Sequence, residues 1–219
     1  MPRPKKSDGP VAIEPRKRPQ QQRSQIVVQR ILEAARDQMR DERLDAFTTT
    51  AIARRAGLSV GSLYQYFPNK EAIILDLARR WLEAARDVVE SLAVLPPNLD
   101  WAGFEAHIRG FHARMSAVYY GHADLLPILG AMNSNSELSR IERDHDGWVI
   151  GFVSDALRSI NPRLDPPVAR RLGQSMLRTG HACLDFAADS GGPSPEADAI
   201  IEDLNRLTLA LFRPYLDLA

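Results

Sequence analysis

The residues of this 219-residue chain best able to do chemistry are concentrated between positions 48 and 71, where hydroxyls, one amide and one lysine recur at short intervals. Val60, Gly61, Ser62, Tyr64, Gln65 and Tyr66 are small at the start of this run and amide- or phenol-bearing later. A helix with so slim and uncharged an N-terminal end fits the major groove of DNA, about 12 Å wide, without bulk or repulsion. Gln65 has the donor–acceptor pair for bidentate contact with adenine, and the Val60 side chain suits a thymine methyl. Ser62, Tyr64 and Tyr66 offer hydroxyls to phosphates or base edges. Thr48, Thr49 and Lys70 stand at two expected helix N-termini, where a phosphate is favoured. A lysine at a helix start opposes the dipole, so Lys70 reads either as a plain surface cation or as a phosphate partner. Tyr66 reads either as a DNA-facing or as a solvated ring, and Tyr64 as a half-buried ring whose hydroxyl alone reaches out.

Positioning these groups requires two short helices, expected at 48–56 and 60–67. Gly57 can take the positive φ that ends a helix, and Ser59 can cap the next through its hydroxyl. Helices joined so briefly cross steeply, as in a helix-turn-helix. Ile52, Ala53, Ala56, Leu58, Leu63 and Phe67 are spaced to fill the small core between them and a preceding amphipathic helix. That helix starts at Gln25 and carries Val28, Leu32, Ala35 and Met39 on one stripe, widened by Ile31 and Ala34. Asn69 is a good N-cap for a longer helix, with Glu71 in its first turn, running through Ile74, Leu77, Trp81, Ala85, Val88 and Leu92 to Pro96-Pro97. At about 24 residues it would span about 36 Å, enough to link two domains. Further helices are expected near 100–119, 122–132, 135–160, 166–189 and 195–215, with breaks at Gly121, Pro127, Asn161-Pro162, Pro166-Pro167 and Gly191-Gly192-Pro193. No run alternates convincingly at period two and no solenoid repeat is visible, so the expected class is all-α.

From about residue 25 to 82, Thr49-Thr50 before Ile52-Ala53, then Ala56-Gly57-Leu58-Ser59, then Gly61-Ser62-Leu63-Tyr64-Gln65-Tyr66-Phe67-Pro68-Asn69-Lys70-Glu71 make the chain resemble the tetracycline-repressor (TetR) family of bacterial transcriptional regulators. The resemblance implies a three-helix DNA-binding domain at 25–70 and a helical ligand-binding and dimerisation domain at 71–219. It implies a homodimer on a palindromic double-stranded operator, repression released by a small-molecule effector, and a bacterial cytoplasmic protein, nucleoid-associated when DNA-bound. It also implies that Thr49, Thr50, Val60, Gly61, Ser62, Tyr64, Gln65, Tyr66 and Lys70 lie at or near DNA, with Tyr64 and Lys70 on the backbone. Thr50 stands where other members carry arginine.

Composition agrees with an ordinary globular chain, 44% hydrophobic and 26% charged. The zero net charge divides unevenly: residues 1–80 hold 16 Lys and Arg against 9 Asp and Glu, and the remainder 12 against 19. A basic first part suggests that it, and not the rest, meets a polyanion. Residues 1–24, with five prolines and seven basic residues, lack the apolar side chains to offset ordering entropy. They read as a disordered basic arm that either lies along DNA or merely solubilises the chain. The N-terminus lacks a signal-peptide apolar core, and no stretch approaches 18 apolar residues, so neither secretion nor membrane spanning is expected. The single cysteine, Cys183, rules out an internal disulfide framework and reads as a small apolar residue before a redox sensor.

In the second part, Val168, Leu172, Met176, Leu177, Gly180, Cys183 and Leu184 form one stripe and Ile200, Leu204, Leu207, Leu211 and Tyr215 another. Leu172, Met176, Gly180, Leu184, Leu204, Leu207 and Leu211 are the dimer candidates, with Gly173 and Gly180 permitting close helix approach; the alternative is that both stripes line the subunit's own core. Trp101, Phe104, His107, Phe111, Met115, Trp148 and Phe152 are candidates for an effector pocket, or else ordinary core. The histidines follow no established ligand pattern, and Asp144-His145-Asp146 points its side chains about 100° apart on a helix, so no metal and no cofactor is expected. A nucleophile elbow, Walker loop, Rossmann glycine pattern and His-Glu-x-x-His are all missing, which argues against the main competing class, an enzyme. A sequence-indifferent architectural DNA binder is the third possibility, which a ratio of specific to random binding separates.

Overall fold

The computed structural model describes residues 22–41, 47–95, 99–126 and 136–218. The described residues form helices and no strands, and divide into two compact units, Met1–Arg79 and Arg80–Ala219. The expected arm at 1–24 lies outside the described residues except for its last three positions, which open the first helix.

In the first unit, α1 is Gln22–Asp41, α2 Thr49–Arg55 and α3 Val60–Tyr64, and the first turns of α4, Lys70–Glu90, complete it. Ile31, Leu32, Ala35, Ile52, Ala53, Leu63 and Phe67 are buried, as their spacing requires; Leu58 is half-buried. The α2–α3 turn is a Schellman closure: the Leu58 amide donates to the Ala53 carbonyl at 2.9 Å and the Gly57 amide to the Arg54 carbonyl at 3.1 Å, with Gly57 at φ 64°. Arg30 of α1 reaches across to donate to the Ala56 carbonyl at 2.6 Å, satisfying one of the orphan carbonyls at the end of α2. The helix expected over 60–67 ends at Tyr64 instead. Residue 67 precedes Pro68, whose ring disfavours helical backbone there, and the amides of Gln65 and Tyr66 close a tighter turn onto Ser62 and Leu63. The division between units falls after Arg79, inside α4 and later than position 70. Ala72, Ile73, Ile74 and Leu75 are buried, yet none belongs to the core cluster of the second unit.

In the second unit, the rest of α4 and a 3-10 turn at Ser91–Ala93 are followed by α5, Trp101–Tyr120, α6, Ser136–Ile160, α7, Pro166–Asp189, and α8, Pro195–Phe212, which ends in a 3-10 turn, Arg213–Tyr215. Capping chemistry sets several starts: Asp100 accepts from the Gly103 amide at 2.7 Å, Ser194 from the Ala197 amide at 3.1 Å, and Pro166 and Pro195 occupy first helical positions. The helix expected over 122–132 falls mostly outside the described residues, and 121–125 form a turn. Gly173 does permit a close approach: a Cβ there would sit 3.0 Å from the Ile150 carbonyl oxygen of α6. Arg109 of α5 forks onto both carboxylate oxygens of Glu202 on α8 while its Nε holds Glu105 at 2.9 Å. None of the described helices is long and apolar enough to cross a membrane.

Candidate nucleic-acid interface and cavity

Residues read as DNA-facing fall on α2 and α3 and immediately beside them, several held by a local device. Thr48 is the N-cap of α2 and its hydroxyl accepts from the Ala51 amide at 3.2 Å. That hydroxyl is therefore committed to the helix, while Thr50 is exposed. Thr49 Oγ1 lies 3.0 Å from the Tyr64 hydroxyl, tying the first turn of α2 to the last residue of α3. Tyr64 is more exposed than a half-core ring, at 38%. Ser59 starts α3, accepting from the Ser62 amide at 3.0 Å and lying 2.8 Å from the Ser62 hydroxyl. Gly61 and Gln65 are exposed, and Val60, Ser62 and Tyr66 are half-buried beside fully buried Leu63 and Phe67. Short polar and apolar tips thus project around a helix that its own core holds from behind.

Lys70 has a role beyond the two expected of it: its Nζ donates to the Phe47 carbonyl at 3.4 Å, bracing the backbone ahead of α2. Asn69 caps α4 by accepting from the Ala72 amide at 2.8 Å.

Gly61 departs from what the fold demands. A Cβ there would meet only Ser59 Oγ, at 3.9 Å, an ordinary contact, and no positive φ is involved. Nothing among the described residues of the unit requires glycine at a helical position where alanine is favoured.

In the second unit a cavity of about 510 Å³ opens between the latter part of α4 and helices α5, α6 and α7. Of the seven residues expected to line a pocket, Phe111 and Met115 do. The others are placed elsewhere. Phe104 is core, packed 6.2 Å from the Phe212 ring; Trp101 carries the Arg213 guanidinium at 4.5 Å; His107 Nε2 lies 3.3 Å from the Leu92 carbonyl; Trp148 lies under Arg86 at 4.0 Å and 5.3 Å from Phe152. A second, much smaller void of about 20 Å³ touches Phe104 and His107.

Sequence reasoning missed most of the lining. Trp81 and Tyr119 stand edge to face at 5.5 Å. His112 is buried, with Nδ1 donating to Asn205 Oδ1 at 2.7 Å; burial lowers its pKa below the ordinary 6.5, so the ring is neutral and keeps Nε2 as an acceptor. Glu142, His145 and Asp146 enter from α6, and Arg178, His181, Asp185 and Asp189 from α7. Burial pushes the Glu142 carboxyl up and the His145 imidazole down, and partial desolvation raises Asp185. A recognisable signal existed: titratable residues at helical spacing, Glu142 with Asp146 and His181 with Asp185, on faces that otherwise turn apolar side chains inward.

The stripes expected to pair two subunits split. Leu172, Met176, Leu184 and Leu204 are spent in the subunit's own core, as the core alternative required. Gly180 meets nothing within 4 Å of a notional Cβ and borders the cavity, so it permits no helix contact among the described residues. Leu207 remains at 54% exposure, Leu211 is half-buried, and Phe186, absent from the expected stripes, is 56% exposed. Cys183 is half-buried, and desolvation with nearby Asp203 raises its thiol, which keeps it protonated.

Residues 31–77 match the family model described as bacterial regulatory proteins of the tetR family. Among solved structures, the chain is similar to a TetR-family transcriptional regulator from Streptomyces coelicolor, with 25% identity and a TM-score of 0.52 over 87% of this chain and 99% of that one. A TetR transcription regulator from Haloarcula marismortui gives 16% identity and a TM-score of 0.67, covering 88% and 100% of the two chains. A TetR-like transcriptional regulator from Rhodococcus sp. RHA1 gives 17% and 0.64, covering 90% and 98%. No curated protein matches the chain in sequence.

Proposed function

We propose, from the premise that this chain belongs to the TetR family of DNA-binding transcriptional regulators, that it is a ligand-responsive repressor that binds a palindromic operator as a homodimer. The observation that carries this reading is the outer face of α2 and α3, where Gly61, Tyr64 and Gln65 are exposed on a helix anchored by buried Leu63 and Phe67. Gln65 is the base reader in this proposal, and Val60 and Ser62 contact base edges. Thr49, Thr50, Tyr64, Tyr66 and Lys70 hold the phosphate walls, with the capping Thr48 beside them.

A single α3 reads only a few base pairs, so two copies related by a two-fold axis are needed, with centres about 34–36 Å apart or at multiples of that spacing. The exposed Leu207 and Phe186, with Leu211 between exposed and buried, support a pairing surface on α7 and α8. The cavity is the effector site in this reading, and α4, continuous from Lys70 to Glu90, carries residues of both units and is the lever. An effector that binds the DNA-free form more tightly must be weakened by DNA by the same factor. The protein then acts in the cytoplasm, without cofactor or metal.

Selection of bound sequences from a random duplex pool, followed by salt titration on the winner, tests the reading. A two-fold symmetric consensus bound at least about a thousandfold tighter than random DNA is the expected result. A ratio near one at every salt concentration would instead fit an architectural binder and end the proposal.

A further inference from the structure

The cavity in the second unit is chemically one-sided. Four carboxylates, Glu142, Asp146, Asp185 and Asp189, line it, against a single guanidinium, Arg178. Asp146 approaches Arg178 at 3.7 Å, whereas Glu142 and Asp185 have no ion-pair partner among the described residues. Three imidazoles, His112, His145 and His181, share the wall, and the rest is aromatic and aliphatic: Trp81, Phe111 and Tyr119 present rings, and Met115, Val149 and Leu177 fill between them. The buried indole N–H of Trp81 has no hydrogen-bond partner among the described residues. At about 510 Å³ the space suits a drug-sized molecule.

We infer that the effector is a flat aromatic organic cation carrying at least one hydrogen-bond acceptor, its charge held by Glu142 and Asp185 and its ring system against Trp81, Phe111 and Tyr119. The inference rests on the proposal that this cavity is the effector site, and names the ligand class it takes. An anion would enter a wall where carboxylates outnumber guanidinium groups four to one, and where the one guanidinium already faces Asp146. A neutral aromatic would fill the volume yet leave both carboxylates without a partner. Desolvation, with neighbouring Asp146 for Glu142 and Asp189 for Asp185, raises both carboxyls above their ordinary pKa values, and a bound cation offsets both effects. Aromatic faces add cation–π attraction, strongest at tryptophan. The neutral His112 in the wall adds no opposing charge, since burial holds it below its ordinary value.

The test uses the full chain without DNA and two fluorescent probes of comparable size, thioflavin T, a flat benzothiazolium cation, and 1-anilinonaphthalene-8-sulfonate, an aromatic anion. Thioflavin T should bind at one site per chain and at least tenfold more tightly than the anion. Glu142→Gln and Asp185→Asn should each weaken it about tenfold, the effect of removing one charge-assisted interaction, while leaving the anion no worse. Both substitutions remove a partly desolvated charge and should fold normally, checked by unchanged or raised melting temperature. Gly180→Leu places a side chain beside the cavity where a Cβ meets no atom within 4 Å, and should abolish binding without unfolding the helix. If the anion binds as tightly as the cation, or thioflavin T ignores both neutralisations, the cation inference falls. Abolished binding in Gly180→Leu would in that case leave the cavity standing as a ligand site. If neither probe binds, or binding persists in Gly180→Leu, the cavity is not the effector site and both readings fall together.

Discussion

Gly61→Ala should move stability and DNA affinity in opposite directions. The added methyl finds Ser59 Oγ at 3.9 Å as its nearest neighbour, so it strains nothing inside the unit. Alanine outranks glycine in helices by up to about 1 kcal/mol, and the gain near a helix start is placed at about 0.5–1 kcal/mol. For a chain of this length that corresponds to a rise in melting temperature of about 1–4 °C. On DNA the same methyl stands at the slim end of α3, where the proposed insertion leaves no spare width. Holding the helix away from one base pair should cost about 1–3 kcal/mol, or about 5- to 150-fold in Kd. No charge changes, so the slope of affinity against salt should be that of the parent chain. Thermal melting and operator titration on the same preparation decide the matter. A variant that melts higher and binds the operator unchanged would show that this face never approaches DNA closely; one that melts lower would show that the fold itself requires the glycine.

Gln65→Ala should relax preference at one base position per half-site while Lys70→Ala weakens all duplexes alike and reduces the salt slope by about one, read from binding to single-base operator variants at several salt concentrations. Leu207→Glu puts a charge on a side chain 54% exposed in the single subunit, so it should leave melting nearly unchanged but yield monomers in sedimentation and lose operator binding; a monomer with full operator affinity would break that coupling. Neutral His112 is favoured by burial, with its folded pKa below the ordinary 6.5, so the unfolded chain takes the proton first on acidification. Stability from this group is complete above about pH 6.5 and is lost as pH falls toward the folded value, and His112→Gln should melt with a shallower decline between about pH 6.5 and 5 than the parent chain. His145 shifts the same way and should keep part of that slope.

The first unit was legible in sequence because each of its turning points is decided by chemistry within a few residues. Gly57 supplies the positive φ, Ser59 and Asn69 supply capping oxygens, and Leu63 and Phe67 must turn inward whatever the rest of the chain does. The cavity was not legible in that way. An apolar stripe states which side of a helix faces in, but not whether it meets a packed neighbour or a void; that depends on how closely helices from distant segments converge. Gly173 and Gly180 look alike in sequence, yet one sits 3.0 Å from a carbonyl of α6 by its notional Cβ and the other faces open space. Trp148 and Phe152 keep to the aromatic stripe and pack against each other as tilted rings, while Glu142 and Asp146, which interrupt it, line the void. Interruptions of a stripe by ionisable residues were therefore the better guide, since a buried carboxylate is costly in a packed core and tolerable beside space that water or a ligand can fill. The uneven charge of the two parts takes on a second meaning in that light. Acidity after residue 80 suggests a surface that DNA avoids, but four of its acidic residues converge on one cavity. Part of that negative charge thus borders the cavity, with Glu142 and Asp146 half-buried and Asp185 and Asp189 still exposed, so it faces whatever occupies the space.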